Sequence, residues 1–195
     1  MMHPNSTAGY INPDKGMGVV ATAPIPVGTI VYVYDSMEIV IGPDDPRLKI
    51  SLYSHLFEHY SFSDSHGNQV MCWDHGRYMN HCCYSNTLAM PNGCNIVVRD
   101  IAAGEEITED YALWRIVKSM PLVCQHANCR KEVGLTDNAM IADDCDVLIT
   151  QAIMQWRTVP QVMLPIIDEA TITELDTFLH TGTGYKSVRF MEQIH

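Results

Sequence analysis

The chain has 195 residues, a formal net charge of -11, 47% hydrophobic residues and only 18% charged ones. That is enough apolar material for one ordinary domain and an appendage, and it is too acidic for non-specific DNA or RNA binding, which needs a positive face to neutralise phosphates. Seven cysteines, an odd and irregularly spaced set, make a poor disulfide framework, and no run of about 18 apolar residues suits a membrane span. Met1-Met2-His3-Pro4 lacks the basic-then-apolar pattern of a secretory signal, so the expected setting is intracellular, reducing, and cytoplasmic or nuclear.

In chain order, residues 1–13 read as irregular, punctuated by Pro4, Asn5, Gly9, Asn12 and Pro13. Lys15-Gly16-Met17-Gly18 is a glycine turn, followed by a short strand at 19–22. Pro24 and Pro26, which lack amide donors, mark a turn before the β-branched run Thr29 to Tyr34, which predicts a strand. Ile39 to Ile41 is a further strand. Asp44-Asp45-Pro46 opens a short, irregular helix carrying Leu48, Leu52, Leu56 and Phe57. Strands are expected at Tyr60–Phe62, Gln69–Trp73, Cys94–Val98 and Glu106–Thr108, with a turn from Ser63 through Ser65 to Asn68. Beyond about residue 135 the pattern becomes helical, with pieces at Ile141–Trp156 and Thr173–Leu179 separated by a run that Pro160 and Pro165 interrupt. Met154, Trp156 and Met163 are expected in the core. Many short strands with Gly- and Pro-rich turns predict a mainly β domain with a small helical tail.

Three stretches carry the chemistry. Arg77-Tyr78-Met79-Asn80-His81-Cys82-Cys83-Tyr84-Ser85-Asn86 is dense in groups that hydrogen-bond, ligate or react. Gly104-Glu105-Glu106-Ile107-Thr108-Glu109-Asp110-Tyr111 is the second, and Gly16-x-Gly18 lies far upstream. Together they resemble the motifs of the SET domain, the fold of protein-lysine methyltransferases. Asn80, His81, Cys83 and Asn86 match an Arg-Phe-x-Asn-His-Ser-Cys-x-Pro-Asn signature, with Cys82 in place of serine and Ser85 in place of proline. The second stretch matches Gly-Glu-Glu-Leu-Thr-x-Asp-Tyr. The resemblance covers residues 14–131.

That resemblance implies small curled β-sheets with a pseudoknot, in which Asn80–Cys83 threads a loop near Tyr111. It implies a SET domain over 1–131 with a helical extension, 132–195, packed on it. The implied reaction is methyl transfer from S-adenosylmethionine to the lysine amine of a protein substrate, a histone among the candidates; the alternative is a non-catalytic peptide-binding module. Tyr111 is then the catalytic residue, and Lys15, Gly16, Met17, Gly18, Tyr60, Arg77, Asn80 and His81 contact the cofactor, with Tyr53 competing for the place of Tyr60. Glu109 stands where many relatives carry an aromatic residue, and so leaves the number of methyl groups open. The partner is a lysine-containing peptide, with no direct nucleic-acid or membrane contact; the tail covers the peptide groove, forms a homodimer or stabilises the β domain.

Many relatives also bind zinc through the motif cysteine and three cysteines of a following segment. Here Cys83, Cys124 and Cys129 match, and Leu122 occupies the remaining position. Two readings stay open: a zinc site completed by His126, another histidine or water, or a segment without metal into whose core Leu122 packs.

Overall fold

The glycine turn at 15–18 builds the first ladder. In the computed structural model, which describes residues 1–64, 66–116 and 118–189, β1 (Ser6–Asn12) pairs antiparallel with β2 (Gly16–Ala21). Ser65 of the expected turn, Val117 and the last six residues of the expected tail lie outside the described residues. Asn12 Oδ1 closes the turn by accepting from the backbone of Asp14 and Lys15, each at 2.9 Å. Residues 6–12 are thus a strand where the sequence reads as irregular. Of β1 only Ser6 is buried, so no apolar alternation announces it and β2 sets its register.

The chain continues with β3 (Ile30–Val33) and β4 (Ile39–Ile41), then a 3-10 turn at Pro46–Lys49 capped by Asp45. Helix α1 (Ser51–Tyr60) follows, a regular three-turn helix that buries only Phe57, which is why its apolar spacing looks loose. Next come β5 (Ser61–Ser63), β6 (Gln69–Met71), β7 (Asn80–His81), β8 (Thr87–Ala89), β9 (Cys94–Val97) and β10 (Glu106–Glu109). The last strands are β11 (Met120–Pro121) and β12 (Glu132–Val133), and the chain ends in α2 (Asp137–Ile153) and α3 (Glu169–Thr181).

Among the described residues the strands form four open ladders, in the orders β1-β2-β10-β7, β3-β9-β8, β4-β6-β5 and β11-β12. The expectation of a mainly β fold of curled sheets with a pseudoknot is therefore corrected. The fold is mixed α/β, with uncurled sheets and helices of 10, 17 and 13 residues. Of Asn80–Cys83, expected to thread a loop near Tyr111, the first two residues instead form a parallel edge strand against Thr108–Glu109.

Helix α2 begins four residues before the expected Ile141, because Asp137 Oδ2 turns back to accept from Gly134 N at 3.0 Å. Its buried face, Asn138, Ala142, Cys145, Ile149 and Ala152, keeps helical spacing, and the last four of these pack with Ile30, Leu88 and Ile96 in the largest core cluster. The turn before β3 approaches α2 so closely that a Cβ on Gly28 would fall 2.7 Å from Gln155 Cβ. Trp156 and Met163 join that core, whereas Met154 is half exposed, against expectation. Helix α3 starts at Glu169, not Thr173: Asp168 caps it, its Oδ1 accepting from Thr171 N at 2.8 Å, and Gly182 ends it. Trp156, three residues past the end of α2, donates through Nε1 to Asp176 of α3 at 2.9 Å, tying that turn to α3. Among the described residues no helix is long and apolar enough to cross a membrane.

Candidate active site

Strand β10 gathers the site. Its first half pairs with β2, the glycine-turn strand, and its second half with β7, the Asn80–His81 strand. Asn86, 2% exposed, fastens the crossing. Its Oδ1 accepts from Thr108 N at 2.8 Å, and its Nδ2 donates to Glu106 O at 2.8 Å and to Glu105 Oε1 at 3.1 Å.

One group of expected residues meets at the β2 end. Asn80 Nδ2 donates to Met17 O and to Glu106 Oε1, both at 2.9 Å, and Lys15 Nζ lies 2.6 Å from Glu106 Oε2. Gly18 sits against this group. A Cβ there would fall 2.5 Å from Ile11 Cγ1 and 2.9 Å from both Asn80 Nδ2 and Glu106 Oε1, so only glycine leaves the cradle intact. Gly16 and Met17 form its rim, with Met17 exposed. The cradle offers a carbonyl acceptor, an amide donor, an ammonium and a carboxylate within a few residues. That set suits a zwitterionic amino-acid group such as S-adenosylmethionine carries.

A second group lines a cavity of about 540 Å³. Tyr111, Tyr60 and Arg77 are on its wall, together with Met79, Phe62, Trp114, Asn95 and Glu109; Tyr53 is not. Tyr60 packs edge-on to Tyr78 at 5.5 Å between ring centroids. Arg77 spends its N–H groups on the backbone carbonyls of Asp74 and Trp73, so it braces the turn before β7. The Tyr111 hydroxyl donates to Met79 O at 2.9 Å. Burial pushes this phenol well above its ordinary range, so it stays protonated, an oriented O–H dipole.

His81 lies behind Tyr111. Burial lowers its pKa to about 4, against the pull of the Asp110 carboxylate, so the ring is neutral. Its Nδ1 accepts from Tyr111 N at 3.2 Å, which leaves the proton on Nε2, 3.0 Å from Cys83 Sγ. His81 is thus a positioning residue for the Tyr111 backbone.

Three donor atoms here could hold a metal ion: those of His81, Cys83 and Cys124 lie within 4.8 Å of one another. Their chemistry fits a closed zinc site poorly. A ligating histidine normally donates its other ring N–H to an acceptor, whereas His81 Nδ1 faces a donor. Burial pushes the Cys83 thiol up to about 12. Cys129, the expected third ligand, packs beside Cys83 and accepts from Lys131 N at 3.3 Å. Leu122 is buried against Ala112 and Val133. The segment is fastened in another way: Arg130 grips Asp110 through two bonds of 2.5 and 3.0 Å.

Sequence reasoning missed Glu106 as the clamp on Lys15 and Asn80, and it missed Asn95. The second had a signal, a lone polar residue inside the apolar run Cys94 to Val98.

Comparison with known proteins places these features. The SET domain family model matches residues 16–112, which span the glycine turn, both signature stretches and Tyr111. Over 137 residues the chain is 29% identical to histone-lysine N-methyltransferase ash1 of Drosophila melanogaster, covering 64% of this chain but 6% of that protein. Among solved structures, the methyltransferase domain of human histone-lysine N-methyltransferase SETMAR overlaps 69% of this chain and 59% of its own, at 17% identity and a TM-score of 0.46. KRYPTONITE, solved with mCHG DNA and SAH, overlaps 62% of this chain and 27% of its own, at 21% identity and a TM-score of 0.43. With its signature stretches in order inside the matched region, the chain belongs to the SET-domain family.

Proposed function

We propose that this chain transfers a methyl group from S-adenosylmethionine to the side-chain amine of a lysine in a protein substrate, histones being the first class to try. One observation carries the reading: the Tyr111 hydroxyl, held by Met79 O, sits on the wall of a cavity shared with Tyr60, Phe62 and Trp114, two residues beyond the strand whose Glu106 clamps Asn80 and Lys15 in the cradle. The cofactor supplies an activated methyl on a sulfonium.

The chain's residues supply the rest. Lys15, Met17 O and Asn80 hold the amino-acid end of the cofactor, and Gly18 keeps space for Asn80. Tyr60, Phe62 and Trp114 take the aliphatic stem of the lysine. A lysine amine has a reference pKa near roughly 10.4, and a poorly solvated cavity lowers it, favouring the neutral nucleophile. The Tyr111 oxygen, its proton committed to Met79 O, offers lone pairs to the reacting centre. Alignment does most of the work, so no covalent protein intermediate is needed.

Cys83, Cys124 and Cys129 belong to the structural brace in this reading. Zinc held there would stiffen the segment behind Tyr111 without touching the chemistry. The seven free thiols are compatible with a reducing compartment, cytoplasm or nucleus.

The test is methyl transfer from labelled S-adenosylmethionine to core histones, with cofactor affinity measured by calorimetry. Tyr111→Phe is expected to lower turnover on the order of 100-fold while cofactor affinity is kept, by analogy with loss of one preorganised polar group. Asn80→Ala is expected to weaken cofactor binding. Absence of cofactor binding by folded wild-type protein overturns the enzyme reading and leaves a peptide-binding module.

A further inference from the structure

Four of the seven cysteines, Cys82, Cys83, Cys124 and Cys129, gather where the segment after β11 folds back on the end of β7. Two departures from the family pattern fall here: Cys82 stands where the signature has serine, and Leu122 where the zinc segment has its first cysteine. The set fits a closed zinc site poorly, since His81 Nδ1 faces a donor and Leu122 puts hydrocarbon in a ligand position. What remains to these sulfurs is the chemistry of thiols with one another.

Cys82 Sγ and Cys124 Sγ lie 3.9 Å apart, in contact. A disulfide bond is about 2 Å long, so closure needs about 2 Å of movement. Cys82 is held in place, its N–H donating to Glu109 O at 3.0 Å. Cys124 lies on the more open side, half-buried between exposed Val123 and Gln125. The competing sulfurs are more committed. Cys83 Sγ takes His81 Nε2–H at 3.0 Å and Arg130 N at 3.4 Å, and Cys129 Sγ takes Lys131 N at 3.3 Å. Cys82 with Cys83 is a poor pair, because adjacent Cα atoms are about 3.8 Å apart and disulfides span about 4.4–6.8 Å. Cys94 and Cys145 are buried in the main core, away from this cluster.

We infer that Cys82 and Cys124 form a reversible disulfide, a redox-sensitive clasp between the cysteine segment and the strand that ends at His81. The oxidant is a small disulfide of the glutathione class. The Cys124 thiolate attacks one sulfur of oxidised glutathione, breaking its S–S bond and releasing one glutathione thiolate. The Cys82 thiolate then attacks the Cys124 sulfur of the mixed disulfide and releases the second. The two protons lost by the protein thiols pass to the two glutathione thiolates, so one disulfide is made and one is reduced. The closed clasp joins residues 42 positions apart and holds the pairing of β7 with β10 from the side of the cysteine segment. In a reducing compartment such a bond is a transient sensor. The inference is independent of methyl transfer.

The test takes the full chain, measures its zinc content, and equilibrates it without air at pH 7.5 in buffers running from reduced to oxidised glutathione. Free thiols are then blocked with N-ethylmaleimide, and disulfides are mapped by mass spectrometry of unreduced peptides. A Cys82–Cys124 bond is expected in the oxidised buffers and is expected to disappear in the reduced ones. The melting temperature should rise by about 5 °C on oxidation, because the cross-link restricts the unfolded chain. Cys82→Ser is expected to stop at a glutathione adduct on Cys124, with no such rise. A bond from Cys124 to Cys83 or Cys129 in the folded wild-type chain overturns the inference, and so do glutathione adducts that never resolve to a Cys82–Cys124 bond. One equivalent of zinc in the chain as purified, with Cys82 and Cys124 unreactive until it is chelated, also overturns it and makes the cluster a metal centre. The wild-type map decides the question whether or not the variant folds.

Discussion

Replacing Asn86 by alanine should unfold the site from its hinge. The side chain satisfies Thr108 N at 2.8 Å and Glu106 O at 2.8 Å, both on β10, from a position 2% exposed. Truncation leaves a buried N–H without a partner, which costs about 2 kcal/mol, and removes a donor from a half-buried carbonyl, which costs about 1 kcal/mol. Water can enter only by opening the crossing, so the expected loss is about 3 kcal/mol, a large share of the roughly 5–15 kcal/mol that holds a domain together. With a urea m-value of about 2 kcal/mol/M, the unfolding midpoint should fall by about 1.5 M at unchanged m. Urea titration followed by tryptophan fluorescence and by far-UV circular dichroism measures it, and coincident curves license the two-state treatment. A loss below about 1 kcal/mol, with both probes coincident, refutes the claim that this side chain holds the two signature stretches together.

Three further outcomes are expected. Gly18→Ala places a Cβ 2.5 Å from Ile11 Cγ1 and 2.9 Å from Asn80 Nδ2; it should cost about 2 kcal/mol by overpacking and weaken cofactor binding in calorimetry, and unchanged values of both would show that the cradle yields. Burial raises the Glu109 pKa from 4.5 to about 7. The folded state therefore binds the proton more tightly than the unfolded one, so this group's contribution is fully present below about pH 4.5 and is lost as pH rises through about 7. His81, lowered to about 4, acts oppositely, contributing stability above about pH 6.5 that is lost as pH falls toward 4. The difference between wild type and Glu109→Gln isolates the first effect, and wild type should lose on the order of 3 kcal/mol relative to the variant between pH 4.5 and 7.5; a flat difference would refute the burial argument. Finally, chelation with EDTA should shift the melting temperature by less than about 2 °C, because Leu122 packing and the Arg130–Asp110 pair fasten the cysteine segment. Unfolding on chelation would make the site a structural metal centre.

What the sequence made legible followed from locality. The strands at 30–33, 39–41, 94–97 and 106–109 were readable because their β-branched and apolar runs carry the signal within a few residues. Strand β1 was hidden because its stability comes from pairing across a turn, not from a buried face of its own. The apolar pattern places the last two helices late, at Ile141 and Thr173, because Asp137 and Asp168 fix the true starts by side-chain contacts that precede it. In the proposed site, motif spacing singles out Tyr111 and Asn80. It does not reveal the clamp of Glu106 on Lys15, which joins residues 91 positions apart. The resemblance assigns His81 a cofactor contact; what no local pattern foretells is its ring Nδ1 accepting from Tyr111 N, which depends on which neighbour supplies a proton.

Alternation along one strand explains why so many functions meet in so few residues. Glu106 turns toward Lys15 and Asn80, and Ile107 enters the core. Thr108 gives its backbone to Asn86, and Glu109 turns to Asn95 and the cavity. Just beyond, Asp110 takes Arg130 and Tyr111 takes Met79. The proposed cofactor cradle, the hinge and a cavity-wall residue thus succeed one another at strand spacing, roughly 3.3 Å per residue, with the brace and the proposed catalytic hydroxyl just beyond. A one-residue slip of β10 would exchange the faces of all of them together. The ladders of β10 with β2 and with Asn80–His81 are two residues each, and the Asn86 side chain, bonded to both Glu106 and Thr108, adds a hold on the register from outside the sheet. The stability of that one crossing and the geometry of the proposed methyl transfer are therefore the same structural property, and loss of Asn86 should disturb cofactor cradle and cavity alike even in molecules that remain folded.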